Sequence, residues 1–255
     1  MTGLRRALAL FTVVPVGALG ELDRTGAAAA MRWLPLLGAA LGAVAGLPVV
    51  AVLRWASQAV LLGAVLAVAL LALLTRGLHL DGLADTVDGL GSRAPAAGAL
   101  EIIRRADIGP FGVIAIVLVL LIDVTALASA DRGCVWQPVA ALAVAAATGR
   151  LAALLAAHRS VPPARPDGFG AYVAGSQSSV MLAIEAVVVL GFGVGLAAAV
   201  DASLVGWLVA QAAALVVAGG FLLHVRRRIG GVTGDVFGAI VEITTALALA
   251  GLALA

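Results

Sequence analysis

The sequence returns repeatedly to runs of about twenty apolar residues, and "GVIAIVLVLLI" at positions 112–122 is part of one of them. A run of that length crosses the hydrocarbon core as a helix. Inside lipid the backbone finds no water, so only helices and closed barrels satisfy its polar groups. About seven such runs occur, approximately Trp33 to Leu53, Gln58 to Leu74, Pro110 to Ala128, Trp136 to Ala157, Val180 to Val200, Leu204 to Leu223 and Val236 to Ala255. They predict an all-α, polytopic integral membrane protein with about seven transmembrane helices. A mean hydropathy of +1.14, with 63% hydrophobic residues and 12% charged, excludes an ordinary soluble domain. The apolar stretch Ala7 to Leu19 contains Pro15 and Gly17 and is too short to span. It is expected to be a short or re-entrant N-terminal helix rather than a cleavable signal peptide, with residues 1–255 forming one membrane domain.

Arginine placement orients this map. No lysine occurs, and when the connections are assigned alternately to two sides, every arginine except Arg54, Arg132 and Arg150 falls on the side of the N-terminus. Loops that stay in the cytoplasm keep positive charge. The expected location is therefore the cytoplasmic membrane, multi-pass, with the N-terminus inside. The glycine- and charge-rich connections at 76–109, 158–179 and 224–235 then share the cytoplasmic face and can meet in one site. A net charge of +2 gives no reason to expect nucleic acid. The single cysteine, Cys134, excludes a disulfide within the chain.

The segment "TRGLHLDGLADTVDGL" at 75–90 concentrates Asp81, Asp85 and Asp88. In a helix these positions stack on one face, and like charges on one stripe call for a cation. Three carboxylates suit Mg²⁺ or Mn²⁺, which take a few carboxylates together with substrate phosphate oxygens. Gly82 and Gly89 mark an adjacent face open to close approach by a helix or ligand. His79 lies about 160° from the stripe at helical geometry. Imidazole is a poor Mg²⁺ ligand, so His79 is expected to be structural or interfacial, or to hydrogen-bond substrate.

Two further motifs point the same way. "EIIRRADIGPFG" at 101–112 holds Arg104, Arg105 and Asp107; arginine forks suit phosphate, although the positive-inside rule alone also places arginines there. "GGVTGDVFGAIVE" at 230–242 opens onto a helix, so Gly231, Thr233 and Gly234 can aim backbone N–H groups at a phosphate while Asp235 completes a metal site. Glu242 shares the face of Asp235, roughly 10 Å deeper at helical rise. A carboxylate at that depth needs a partner, and Arg150, at comparable depth in the fourth span, is expected to pair with it or to line one polar pocket. The proline-rich connection "HRSVPPARPDGFGAYVAG" reads as an ordered loop or lid in which Arg159, Arg165 and Asp167 are candidate substrate contacts. Asp123, Asp131 and Asp201 fall toward the other end and are set aside from the chemistry.

Together these features suggest Mg²⁺-assisted transfer on a pyrophosphate-bearing substrate, with Asp81, Asp85, Asp88, Asp235 and Glu242 as catalytic candidates. A transporter is the rival from another class, although most of the carboxylates sit in loops or at span ends. CDP-alcohol phosphotransferases and prenyltransferases also cluster aspartates at a membrane edge.

The chain resembles the cobalamin synthase family, the adenosylcobinamide-GDP ribazoletransferases. The resemblance is carried by "GLHLDGLADTVDGL" at 77–90, "IGPFGV" at 108–113, "ARPDGFG" at 164–170 and "GGVTGDVFGAIVE" at 230–242, with "FTVVP" at 11–15 and "WLPLLGAALG" at 33–42 near the N-terminus. It implies an integral membrane enzyme of late cobalamin (vitamin B12) biosynthesis. Such an enzyme joins adenosylcobinamide-GDP to α-ribazole or its 5′-phosphate, giving adenosylcobalamin or its phosphate plus GMP, with Mg²⁺ held by Asp81, Asp85, Asp88 and Asp235. The partners implied are these substrates and the lipid bilayer, with a homo-oligomer allowed. Departures from the family pattern are Arg76 where Gly is frequent, Val13 where Arg is frequent, an inverted charge order at Arg105-Ala106-Asp107, and Thr245 where an acid is frequent.

Overall fold

The computed structural model describes residues 2–255 apart from Leu19, Ala106 and Arg132. Arg132, assigned above to the arginine-poor side, and Ala106 of the second motif therefore lie outside the described residues, as does Leu19. The described chain forms helices α1 (Thr2–Phe11), α2 (Arg24–Met31), α3 (Leu34–Trp55), α4 (Val60–Leu74), α5 (Leu78–Gly91), α6 (Ala96–Ile103), α7 (Pro110–Ser129), α8 (Gln137–Ala156), α9 (Phe169–Val173), α10 (Ser179–Ala199), α11 (Leu204–Ile229) and α12 (Gly234–Leu254). Seven are long and apolar enough to span a membrane, namely α3, α4 with its short leading turn, α7, α8, α10, α11 and α12. The chain is a multi-pass, all-α protein of the class its apolar runs predict.

Two of the seven form the centre. The apolar window of α8 is 89% buried and that of α12 72%, against 22% for α4 and α10. The difference follows from side-chain size: nine of the twenty residues of α8 are alanine, so its neighbours approach closely. On α3, Gly38, Gly42 and Gly46 recur every fourth residue and press on the α8 backbone. A Cβ added at Gly42 would stand 2.6 Å from the Leu142 carbonyl oxygen, and one at Gly46 2.9 Å from Val139 Cα. In lipid, where no hydrophobic effect drives helices together, such close packing supplies the attraction. The outer helices turn leucine and valine outward instead, as at Val187, Val205 and Val216, each more than 70% exposed and suited to acyl chains.

The bundle has two different ends. One apolar cluster joins the starts of α3 and α12 to the ends of α8 and α11 and to α1 and α2. A second joins the opposite ends of the same spans around Trp207. All the motifs lie at the first end. At the second, short turns connect the spans, Trp55 is exposed, and the Arg54 guanidinium lies 5.9 Å above the Trp136 ring, an arrangement typical of a membrane–water interface.

The connections are more helical than the sequence reading allows. Residues 76–109 fold mainly as α5 and α6. The sixth span does not stop at Leu223, because α11 continues through His224 and Arg226 to Ile229, and the connection expected over 224–235 shrinks to the turn before α12. Arginines complement the negative end of a helix, and Gly230, left-handed at φ 86°, terminates it with its N–H donating to the Arg226 carbonyl at 3.0 Å. Connection 158–179 is irregular apart from the short α9, as expected.

Candidate active site

The aspartate helix is aimed by a tight turn. Arg76 and Gly77 are both left-handed, at φ 58° and 65°, and swing the chain from the end of α4 into α5, which packs between α12 and α7. Glycine sets how closely α5 meets α12. A Cβ on Gly82 would lie 2.7 Å from the Asp235 carbonyl oxygen, and one on Gly238 3.1 Å from the His79 carbonyl oxygen. This contact brings Asp235, in the first turn of α12, beside Asp81 and Asp85 of α5.

These carboxylates crowd one another. Partial burial, then repulsion from Asp81, Asp235 and Asp88, pushes the Asp85 carboxyl up to about 7. Asp81 is exposed. Asp235 accepts a hydrogen bond from the Thr233 hydroxyl at 3.1 Å, and its nearest cation is the Arg165 guanidinium at 3.5 Å. Among the described residues no three His, Cys, Asp or Glu side chains stand close enough to grip a metal ion by themselves. The donor set is nevertheless all oxygen and in excess negative charge.

Asp88, expected as a third ligand on the same stripe, is engaged differently. One of its oxygens accepts the Gly109 N–H at 2.7 Å and the other the Gly112 N–H at 2.9 Å. The carboxylate thus satisfies orphan donors at the start of α7 from outside that helix. At either glycine a Cβ would collide with the carboxylate, which gives the "IGPFGV" motif a physical reason. Asp88 is 8% exposed and clamps α5 to α7.

Beside the carboxylates lies a cavity of about 280 Å³. Leu10, Phe11, Met31, Leu34 and Phe169 give it apolar walls, and Asp81, Asp235 and Gly234 also line it. The Phe11 and Phe169 rings meet edge to face with centroids 5.7 Å apart. His79, in the first turn of α5, is the imidazole in the wall. Burial, with a smaller push from the charge of Arg150, takes its pKa down to about 3, so the ring is neutral. Its 3.9 Å approach to Glu242 is therefore neither an ion pair nor a hydrogen bond, and Nδ1 is buried without a partner.

Glu242, expected among the catalytic groups, stands behind His79 and outside the cavity lining. Arg150 is 2% exposed. Its guanidinium donates to the Ala146 carbonyl at 3.3 Å and it makes no ion pair among the described residues, so the expected pairing with Glu242 takes the form of a shared polar interior. Asp123, set aside from sequence, is buried as well, at 6% exposed, with one carboxyl oxygen unpartnered among the described residues.

The family model described as cobalamin-5-phosphate synthase matches residues 3–253. The chain belongs to that family. Curated relatives named adenosylcobinamide-GDP ribazoletransferase include one from Frankia casuarinae, 43% identical over 98% of this chain and 93% of its own length. One from Citrobacter koseri is 39% identical over 82% of this chain and 81% of its own, and one from Corynebacterium diphtheriae is 32% identical over 94% and 87%. No solved structure matches.

Within this synthase frame the companion motifs divide. Gly231 touches the proline-rich connection rather than an open anion site: Val232 N–H donates to the Pro162 carbonyl at 3.1 Å and Ala164 N–H to the Val232 carbonyl at 2.9 Å. Thr233 caps α12, its hydroxyl accepting the Val236 N–H, while Gly234 reaches the cavity. Arg104 bonds Asp167 at 3.0 Å, tying the second motif to the proline-rich connection. The side chains of Arg105 and Asp107 are exposed and make no hydrogen bond or ion pair among the described residues. Arg76 holds a backbone conformation natural to glycine and donates to the Leu10 carbonyl at 3.2 Å. Thr245 is buried against Gly149 of α8.

Sequence reasoning missed the cavity walls, because Leu10, Met31 and Leu34 look like any other core residue. It also missed the α3 glycine ladder, although Gly38, Gly42 and Gly46 at intervals of four are a recognised packing signal in apolar helices.

Proposed function

We propose that this synthase joins adenosylcobinamide-GDP to α-ribazole, or its 5′-phosphate, and releases GMP. Beyond the family, what carries the proposal is the crowding of Asp81, Asp85 and Asp235 at the edge of an apolar cavity, where among the described residues the one guanidinium in contact is that of Arg165. Such a site needs a cation and a phosphorylated substrate to balance it. Mg²⁺ keeps several waters and takes one or two carboxylates plus phosphate oxygens, so Asp81, Asp85 and Asp235 fit a site completed by substrate. The ion supplies neutralisation of the pyrophosphate charge.

The chain's own groups do the rest. A ribazole hydroxyl attacks the phosphorus attached to cobinamide; the bond from that phosphorus to the bridging oxygen breaks, and GMP departs with the oxygen. The hydroxyl proton passes to a carboxylate of the rim. Arg165, already beside Asp235, is placed to hold a phosphate oxygen, and the cavity wall keeps water from the acceptor. The arginine asymmetry supports a cytoplasmic placement of the motif end.

The deciding experiment is turnover of the purified, detergent-solubilised chain on both substrates, with Mg²⁺ and then with EDTA. Mg²⁺-dependent GMP and corrinoid product are expected; their absence from folded protein overturns the proposal. Orientation has its own test in Cys134, the single cysteine, which precedes α8 at the opposite end. An impermeant maleimide should label it from outside the cytoplasmic membrane, and labelling only from the cytoplasmic side inverts the orientation.

A further inference from the structure

The cavity has a chemical character of its own. Its volume, about 280 Å³, is near the lower end of small-molecule sites, ~300–1,000 Å³. That suffices for one flat bicyclic ring and is far too little for a corrin. The deep wall is hydrocarbon and aromatic, from Phe11, Met31, Leu34 and Phe169, and its one polar side chain away from the carboxylate rim is His79. That imidazole is 5% exposed and makes no hydrogen bond among the described residues. Its sealed, unpartnered Nδ1 lies on the Glu242 side of the ring, 3.9 Å from that carboxylate, so the ring nitrogen left for a ligand in the cavity is Nε2.

Three flat bicyclic rings are available, guanine, the adenine of the adenosyl group and benzimidazole, and the two purines differ from the third in what they ask of such walls. Guanine carries hydrogen-bonding groups on most of its edges, and apolar walls leave them unpaired at a cost of about 1–3 kcal/mol each. Dimethylbenzimidazole has a hydrocarbon edge and one unsubstituted ring nitrogen with a lone pair. One imidazole matches one nitrogen. Its ribose, on the other nitrogen, then emerges toward Asp81 and Asp235, where the attacking hydroxyl is needed.

We infer that this cavity is the acceptor subsite: it takes the benzimidazole ring of ribazole between Phe11, Met31, Leu34 and Phe169, with His79 hydrogen-bonded to the free ring nitrogen. The inference rests on the ribazoletransferase proposal. It makes the enzyme selective for an apolar lower-ligand base, because a purine brings exocyclic polar groups into the hydrocarbon part of the site.

The test fills the cavity from α8, with Ala153→Leu in the full chain in detergent. KM for ribazole should rise about tenfold or more, while KM for adenosylcobinamide-GDP stays put. Wild type should also prefer ribazole over the α-riboside of adenine by about tenfold or more in kcat/KM. A rise in the corrinoid KM instead seats one of that substrate's purines in the cavity and overturns the inference, as does equal use of the two ribosides. If Ala153→Leu does not fold, Leu78→Trp at the exposed edge of the cavity replaces it, with the same expectations. If wild type shows no turnover, the ribazoletransferase proposal fails by itself. Titration of ribazole by its own fluorescence then decides the cavity: weakened binding in the filled variant supports the subsite, and unchanged binding removes it.

Discussion

The two ends of α5 carry the same residue type on the same stripe and use it in opposite ways. At its start Asp81 and Asp85 face Asp235 across a glycine contact, short of positive charge and beside a cavity. At its end Asp88 is closed off, each oxygen accepting a backbone N–H at the start of α7. Helical periodicity places all of them on one face, but the neighbour met by each turn determines its role. A carboxylate that meets unpaired N–H groups becomes a clamp. Carboxylates that meet one another remain available to a cation.

The largest expected effect is at the open end. Asp81→Asn or Asp85→Asn should lower turnover about a hundredfold or more while leaving the unfolding midpoint in detergent unchanged or raised, since repulsion is relieved. Near-normal turnover in either purified variant breaks the comparison. At the closed end, Asp88→Ala leaves two helix-start N–H groups unpaired, at about 1–3 kcal/mol each. Its unfolding midpoint should fall, with near-normal turnover per folded molecule. The reverse pattern, a normal midpoint with turnover lost, makes Asp88 a ligand after all.

A smaller effect sharpens the link between α5 and α12. Gly82→Val places a side chain where Asp235 backbone already stands, and overpacking of this kind costs about 1–3 kcal/mol. The midpoint should fall, and the Mg²⁺ concentration needed for half-maximal turnover should rise as Asp235 moves away. An unchanged Mg²⁺ requirement separates Asp235 from the site.

The smallest effect is a pH dependence. The Asp85 carboxyl, at 3.8 when unperturbed, stands at about 7 in the folded protein. The folded state therefore holds a proton that the unfolded state releases between these values, and its stabilising contribution is lost as pH rises from about 4 through about 7. In EDTA the midpoint should decline across that window, and Mg²⁺ should flatten the decline. A profile unaffected by Mg²⁺ leaves the ion nowhere near Asp85.

Much of this protein was legible without coordinates. The seven spans follow from run length alone, because lipid gives a backbone no alternative to the helix. The aspartate stripe and its partner motif on α12 follow from local spacing, and both motifs do meet. What spacing did not reveal is which carboxylates stay open. Asp81, Asp85 and Asp88 are equivalent in a helical projection, and only the arrival of Gly109 and Gly112 distinguishes the last. Asp123 looked peripheral because depth along a span says nothing about which way a side chain turns. The cavity was invisible for a similar reason, being made of ordinary apolar residues from α1, α2, α3, α9 and α12 that no local pattern connects. Sequence by itself determined the helices, their membrane setting and the pool of chemical groups, since these depend on neighbours along the chain. Tertiary structure decided which groups were consumed in holding helices together and which were left facing a space, because that depends on neighbours the chain reaches only after it has folded.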